Sequence, residues 1–288
     1  MSAADELRDG RYLGVDAARY HALPGLSPTG AVRLLESPRA YRYVRTEETP
    51  AMRLGTAIHE MTLGNASRVR PLPDISGRSK AGRAALEEAR AASGDGVLLL
   101  PPDDYERAVA SASAARRAMR WLYDADPQAA MAEHEVSMVW GGGARRGRPD
   151  ILADEECVGG RRLVVADLKT THAIPSDLAG HVARAGWHTQ VAAYLDGATR
   201  TCADTVADYA AYVVVVETTG AHDAVVVQLS PEYLDIGHAA WVEACALYDR
   251  CVTDDHWPYR GELTGVRMVH APGWLRPRGH DTGDSSAD

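Results

Sequence analysis

The sequence predicts an α/β protein, a mixed central β-sheet flanked by helices, with a helical N-terminal extension. Two observations carry this. Apolar residues recur at a helical period between about residues 26 and 125, and from Glu133 the period switches to two. The order is then helices, three strands, helices, two strands, helix, which suits helices packed on a mixed sheet.

Taken in order, residues 1–25 read as an irregular arm. Ser27-Pro28-Thr29 precedes GAVRLLESPRAYRYVR, a helix capped by Ser27 or Thr29 that Pro38 should kink or divide. Met52–Leu63 places Leu54, Ala57, Ile58, Met61 and Thr62 at helical spacing, with His59 one step round from that stripe. Gly77–Ser93 is a charged, Ala-rich helix, and Asp103–Trp121 a second one after Pro101-Pro102. Glu133–Trp140 alternates as a strand, Gly141-Gly142-Gly143 turns, Arg146–Leu152 returns, and Leu163–Thr170 adds a third, apolar strand. Pro175–Arg200 is helical. Asp208–Glu217 and Ala224–Leu229 form a hairpin through Thr218–His222, and Pro231–Arg250 is a long helix with Pro in its first turn. This divides the chain into an arm (1–25), one domain (26–253, helical to 125 and sheet core with flanking helices beyond), and a tail (254–288) whose last eleven residues, RGHDTGDSSAD, have a disordered composition.

Composition excludes several classes. With 45% apolar and 25% charged residues the 288-residue chain is ordinary for a soluble globular protein. Its net charge of −9 counts against a generally basic nucleic-acid binder and leaves phosphate contact to a local Arg-lined groove. Cys157, Cys202, Cys245 and Cys251 contain no CxxC pair, so neither a zinc or iron–sulfur set nor a disulfide framework is indicated. The opening MSAADELRDGRYLG is too polar for a secretory leader, and no apolar run approaches the roughly 18 residues of a membrane span. The expectation is a cytoplasmic protein with no membrane association and reduced thiols.

The informative feature is Arg148-Pro149-Asp150 followed, seventeen residues after Asp150, by Asp167-Leu168-Lys169. Asp167 and Lys169 are two apart on a strand, so they share a face, and Asp150 can meet them from the neighbouring strand. Two carboxylates side by side repel, and burying them requires a counter-charge. A divalent cation supplies one, and hard oxygen ligands suit Mg²⁺ or Mn²⁺ better than zinc. Such a cation can activate water and offset charge on a scissile phosphate, while Lys169 orients or deprotonates the water or stabilises the transition state. A lone DxK reads first as an incidental salt bridge at a solvated strand end; the upstream RPD at this distance shifts the reading toward chemistry. His59, in GTAIH, is either a structural helix residue or an added metal ligand. Glu135 is a further ligand, a water-positioning carboxylate or a solvent-facing strand residue. Gln190 and Tyr194, at i and i+4, either hold Lys169 and the DNA backbone or cap the core.

GTAIH, GRPD, DLKTT and QVAAY, in this order, resemble the RecB-type branch of the PD-(D/E)XK nuclease superfamily, most closely the RecE-like phage exodeoxyribonucleases of the exonuclease VIII family. LSPTGAVRLLESPRAYRY resembles that family's short helical segment, so the likeness runs from about Leu26 to Gln228. The resemblance implies a restriction-endonuclease-like core. It implies Mg²⁺-dependent digestion of one strand of linear duplex DNA from the 5′ end, leaving 3′ single-stranded tails. It also implies a ring-like homo-oligomer working on DNA ends with a single-strand annealing protein in recombination. By motif match His59, Asp150 and Asp167 are metal ligands and Lys169 the catalytic lysine, with Glu135 and Gln190 as further site residues. The four-cysteine cluster of iron–sulfur relatives is missing, as is any GxxxxGK[ST] motor loop.

Two Arg clusters are candidates for phosphate contact: Arg39, Arg42 and Arg45 at i, i+3 and i+6, and Arg145, Arg146 and Arg148 beside Asp150. Each reads otherwise as a solvated face. Two rival functions stay open: an endonuclease or a nuclease like those of CRISPR adaptation, and a catalytically idle DNA-binding module that keeps the fold.

Overall fold

A computed structural model describes residues 7–266 and 268, apart from 65, 76, 77 and 95. The first six residues of the arm, the first residue of the predicted helix Gly77–Ser93 and the segment 278–288 lie outside the described residues. The arm is not irregular where it is described. It contains β1 (Gly10–Tyr12) and α1 (Ala17–Ala22), the latter capped by the Asp16 carboxylate. The partner of β1 lies more than a hundred residues away, so no local pattern announces it.

Capping side chains open the next helices. Ser27 caps α2 (Pro28–Glu36), and Ser37 both ends α2 and caps α3 (Pro38–Tyr43), so Pro38 divides the predicted helix. Thr49 caps α4 (Pro50–Thr62). A small parallel pair, β2 (Val69–Pro71) and β3 (Leu98–Leu100), brackets α5 (Lys80–Ala92) and leads into the long α6 (Pro102–Ala125).

The predicted strand Glu133–Trp140 is two: β4 (Glu133–His134) and β5 (Ser137–Trp140). Glu135 between them adopts φ +53°, left-handed backbone that no β-strand accommodates. The predicted return strand is likewise split into β6 (Arg145–Gly147) and β7 (Ile151–Cys157) across Arg148-Pro149-Asp150. Both breaks sit where the chain changes sheet. A three-stranded sheet has the order β1-β5-β6. The main sheet, completed by β8 (Gly160–Thr171), β9 (Val206–Glu217) and β10 (Ala224–Gln228), has the order β10-β9-β8-β7-β4. β8 and β9 are parallel, joined through α7 (Leu178–Arg184) and α8 (Trp187–Arg200); the other pairs of the main sheet are antiparallel, so it is mixed. α9 (Pro231–Thr253) and α10 (Arg260–Thr264) follow.

Both faces of β8 are buried, which explains its near-continuous apolar run. Leu163 and Val165 face the cluster built with α2, α8 and α9; Val164, Ala166 and Leu168 face α4 and α6. Asp167 and Lys169 therefore fall by parity on the α8 side. Glycine sets the closest helix approach: a Cβ at Gly237 of α9 would stand 2.4 Å from the His188 carbonyl oxygen of α8. Among the described residues no helix is long and apolar enough to cross a membrane.

At the far end of the sheet Asp126 receives Arg162 through both oxygens (2.8 and 3.0 Å) and the Tyr212 hydroxyl at 3.1 Å. Burial alone pushes this carboxyl up, but the Arg162 and Tyr212 donors outweigh it and hold it below its ordinary value. A depressed folded-state pKa stabilises the fold above the ordinary carboxylate range and loses that contribution as pH falls through the folded value. Asp126→Asn should therefore cost about 3 kcal/mol near neutral pH, the cost of breaking a buried pair. In urea titrations the gap from wild type should narrow as pH drops toward about 3.

Candidate active site

β7 begins at Ile151, opposite Ala166, so beyond that point the amides of β8 face no β7 carbonyl. The Leu168 amide instead donates to Asp150 Oδ2 at 2.6 Å, and the Asp150 side chain caps the ladder just where β8 delivers Asp167. The backbone of Asp150 is fixed from the other sheet crossing, its carbonyl accepting from the Glu135 amide at 3.2 Å. Both carboxylates are taken from water, Asp167 to 3% exposure and Asp150 to 9%.

α4 crosses the opposite face of β8. Gly55 lets it come close: a Cβ there would lie 3.1 Å from Thr170 Oγ1. One turn on, His59 Nδ1 reaches within 3.3 Å of Asp150 Oδ1. Lys169 Nζ lies 2.5 Å from Asp167 Oδ2 and donates to Gln190 Oε1 at 2.8 Å. Among the described residues buried Oδ2 has that ion pair and no other polar partner. Gln190 and Tyr194 share one face of α8 and are both buried. The structure thus brings together His59, Asp150, Asp167, Lys169 and Gln190, with Tyr194 in the field of both acids.

The two acids are driven apart in proton affinity. Burial, reinforced by the Asp150 charge, pushes Asp167 up against the pull of Lys169. Burial also opposes ionisation of Asp150, but His59, the Leu168 amide and Lys169 bring it below its ordinary value. His59 is disfavoured as a cation by burial, yet the Asp150 charge prevails and raises it. Burial, with the nearby charges of Asp167, Tyr20 and Asp150, lifts the Tyr194 phenol well above 10. Two carboxylates this close titrate as a pair, one held down and the other pushed up.

Among the described residues no three His, Cys, Asp or Glu side chains already stand as a metal cage; here His59 and Lys169 engage the carboxylates. The donor chemistry nonetheless fits a hard divalent cation: two carboxylates, one imidazole, and a buried Asp167 oxygen whose one polar partner among the described residues is Lys169.

The other candidates fall elsewhere. The Glu135 carboxylate turns to Arg148 Nη2 at 3.0 Å, and only its backbone amide meets Asp150. The expected alternation fails because of its left-handed backbone. Arg145 is 8% exposed and spent on Asp249 (2.7 Å) and on the sulfur and carbonyl of Cys245, which corrects the expectation that it meets phosphate. Arg146 and Arg148 are half-buried against Tyr20 of α1, a residue the sequence reading passed over in the arm. Arg39 and Arg42 are exposed on α3, Arg39 over the Tyr43 and Tyr259 rings and Arg42 over Trp257. Arg45 lies past the end of α3, so the three do not share one helix face. A cavity of about 730 Å³ opens between Asp9, Gly143 and Tyr248, and none of the candidate residues lines it.

The sequence matches the family model of the PD-(D/E)XK nuclease superfamily over residues 25–250. Among solved structures, a candidate exonuclease from Eubacterium rectale is 12% identical and covers 91% of this chain and 96% of its own, with a TM-score of 0.53. At that identity the likeness speaks for the fold alone. The structure of SSO0001, 13% identical over 72% of this chain and 87% of its own, superposes with a TM-score of 0.29, too low to bear on the fold. No curated protein matches the sequence.

Crowded acids should destabilise the metal-free protein. Asp167→Asn is expected to melt at or above the wild-type temperature in EDTA. It should also lose the upward shift that Mn²⁺ gives the wild type by binding the folded state. A variant that melts several degrees below wild type in EDTA would show the carboxylate to be a stabilising group.

Proposed function

The chain belongs to the PD-(D/E)XK nuclease superfamily, and on that premise we propose that it is a metal-dependent exodeoxyribonuclease acting on linear double-stranded DNA. The observation that carries this is the convergence of Asp150, Asp167 and Lys169, with His59, at the end of β8. Nothing in folding calls for burying two like charges together there.

Asp150 and Asp167 would hold a divalent cation, Mg²⁺ with Mn²⁺ as substitute, and His59 would add a nitrogen ligand. Bound there, such a cation activates water and neutralises charge on the phosphate. The hydrolytic step adds water oxygen to phosphorus and breaks the bond to the leaving sugar oxygen; one water proton ends on that oxygen and the other is released. Lys169, held by Gln190 at 2.8 Å, donates to the attacking water or to the phosphate oxygen that gains charge. Gln190 holds that ammonium, and Tyr194, one turn on, is buried in the same wall of α8. Arg146 and Arg148 stand beside Asp150 to take backbone phosphates, and exposed Arg39, Arg42 and Arg45 offer a second, looser contact.

The resemblance to RecE-like enzymes supports the finer reading: 5′-to-3′ digestion that leaves 3′ tails, a ring-like homo-oligomer, a single-strand annealing protein as partner, and a cytoplasmic setting.

Two assays test this. Wild type with Mg²⁺ should degrade linear duplex and spare covalently closed circles, releasing a 5′ label before a 3′ label; cutting of closed circles would point to the endonuclease instead. Lys169→Ala should reduce cleavage at least about 100-fold, on the scale of a lost transition-state donor, while duplex binding stays near wild type. Undiminished hydrolysis by that variant would remove Lys169 from the chemistry.

A further inference from the structure

Tyr20 is the one buried residue of α1, at 6% exposure, yet it does not sit in either apolar cluster. Its ring lies under two cations: the guanidinium carbons of Arg146 and Arg148 stand 5.0 and 5.5 Å from its centroid. The Nε atoms of both arginines are buried with no hydrogen-bond partner. A ring face attracts a guanidinium cation lying against it without fixing it in an ion pair.

The pair has other contacts besides the ring, and Arg146 also hydrogen-bonds the Tyr20 side-chain oxygen. Arg146 Nη1 donates to the Tyr20 carbonyl at 3.0 Å and Arg148 Nη1 to the Val15 carbonyl at 3.3 Å, while Glu135 holds Arg148 Nη2. Carbonyls are weaker acceptors than phosphate oxygens, so an arriving phosphate can replace them. His21, exposed next to Tyr20, lies in the same positive field and is held below its ordinary pKa by burial and then by both arginines.

The location ties this group to the carboxylates. Gly147, between the two arginines, packs on Tyr194 so closely that a Cβ would lie 3.3 Å from its ring. Tyr194 sits one turn from Gln190, which holds Lys169. Arg148 is two residues from Asp150.

We infer that Tyr20 is a positioning residue, holding Arg146 and Arg148 as a paired subsite for a DNA backbone phosphate beside the carboxylate centre. The inference rests on the nuclease reading and deepens it, since it makes the N-terminal segment part of the substrate groove. Pairing both arginines on one ring presents two guanidiniums at fixed spacing and lowers the cost of ordering them on binding.

The test is duplex binding by fluorescence anisotropy in EDTA over a salt series, with melting curves and Mg²⁺-dependent kinetics for each variant. Tyr20→Leu keeps a buried apolar side chain and removes the ring face; Tyr20→Phe keeps the ring and removes only the hydroxyl that Arg146 also reaches. Tyr20→Leu should weaken binding about tenfold and reduce the salt slope by about one to two, as expected when one or two phosphate contacts are lost. It should raise KM in that proportion and leave kcat within about twofold, Tyr20→Phe should bind within about twofold of wild type, and Tyr20→Leu should cost nothing further once Arg146 and Arg148 are both alanine. A wild type that binds and cuts DNA while Tyr20→Leu matches it in affinity and slope overturns this inference alone. So does a Tyr20→Phe variant as weak as Tyr20→Leu, or a loss that tracks a collapsed melting transition. A wild type that binds no duplex overturns both this inference and the nuclease reading.

Discussion

Two carboxylates share the buried end of one strand pair, and the surrounding structure is organised around that repulsion. Taking a single carboxylate from water is costly, and a second beside it multiplies the cost unless positive charge is supplied. The chain's own supply is one ammonium and one imidazole, brought from different elements: Lys169 from the strand that carries Asp167, and His59 from a helix on the opposite face. One oxygen of Asp167 has the Lys169 ammonium as its one polar partner among the described residues. On the proposed nuclease reading a divalent cation would complete the positive charge at this centre.

The backbone arrangement that permits this is the double change of sheet at Glu135 and at Arg148–Asp150. Had β6 run unbroken into β7, Asp150 would be an ordinary ladder residue whose side chain alternated with its neighbours. By leaving one sheet before it and entering the next after it, the chain frees the Asp150 carboxylate to cap the Leu168 amide. The neutral wall of α8 then holds Lys169 through Gln190. The far end of the sheet has the opposite character: Asp126 and Arg162 form a fully donated ion pair that anchors the fold. One end is saturated and stable, the other unsaturated and reactive.

Much of this was legible in the sequence because it depends on parity. Asp167 and Lys169 are two apart in an apolar strand, which alone fixes their common face, and Gln190 and Tyr194 are four apart on a helix. His59 could be placed one step off an apolar stripe. What failed was whatever parity cannot see. Glu135 looked like an alternating strand residue, but its left-handed backbone points the carboxylate at Arg148. Arg145 looked equivalent to Arg146 and Arg148, but its partners, Asp249 and Cys245, lie about a hundred residues away. Tyr20 carried no signal at all, because its importance comes from two arginines contributed by a distant strand segment. Long-range pairing, which short windows do not contain, separates what was read from what was missed.

The most direct test of the central claim is anomalous diffraction from crystals of the protein soaked in Mn²⁺. The account predicts one strong peak within about 2.1–2.2 Å of carboxylate oxygens from both Asp150 and Asp167, the distance range of a hard cation of this size, with the Lys169 ammonium displaced toward Gln190. A peak bound by other residues, or carboxylates that keep their contacts with His59 and Lys169 at saturating Mn²⁺, would contradict it.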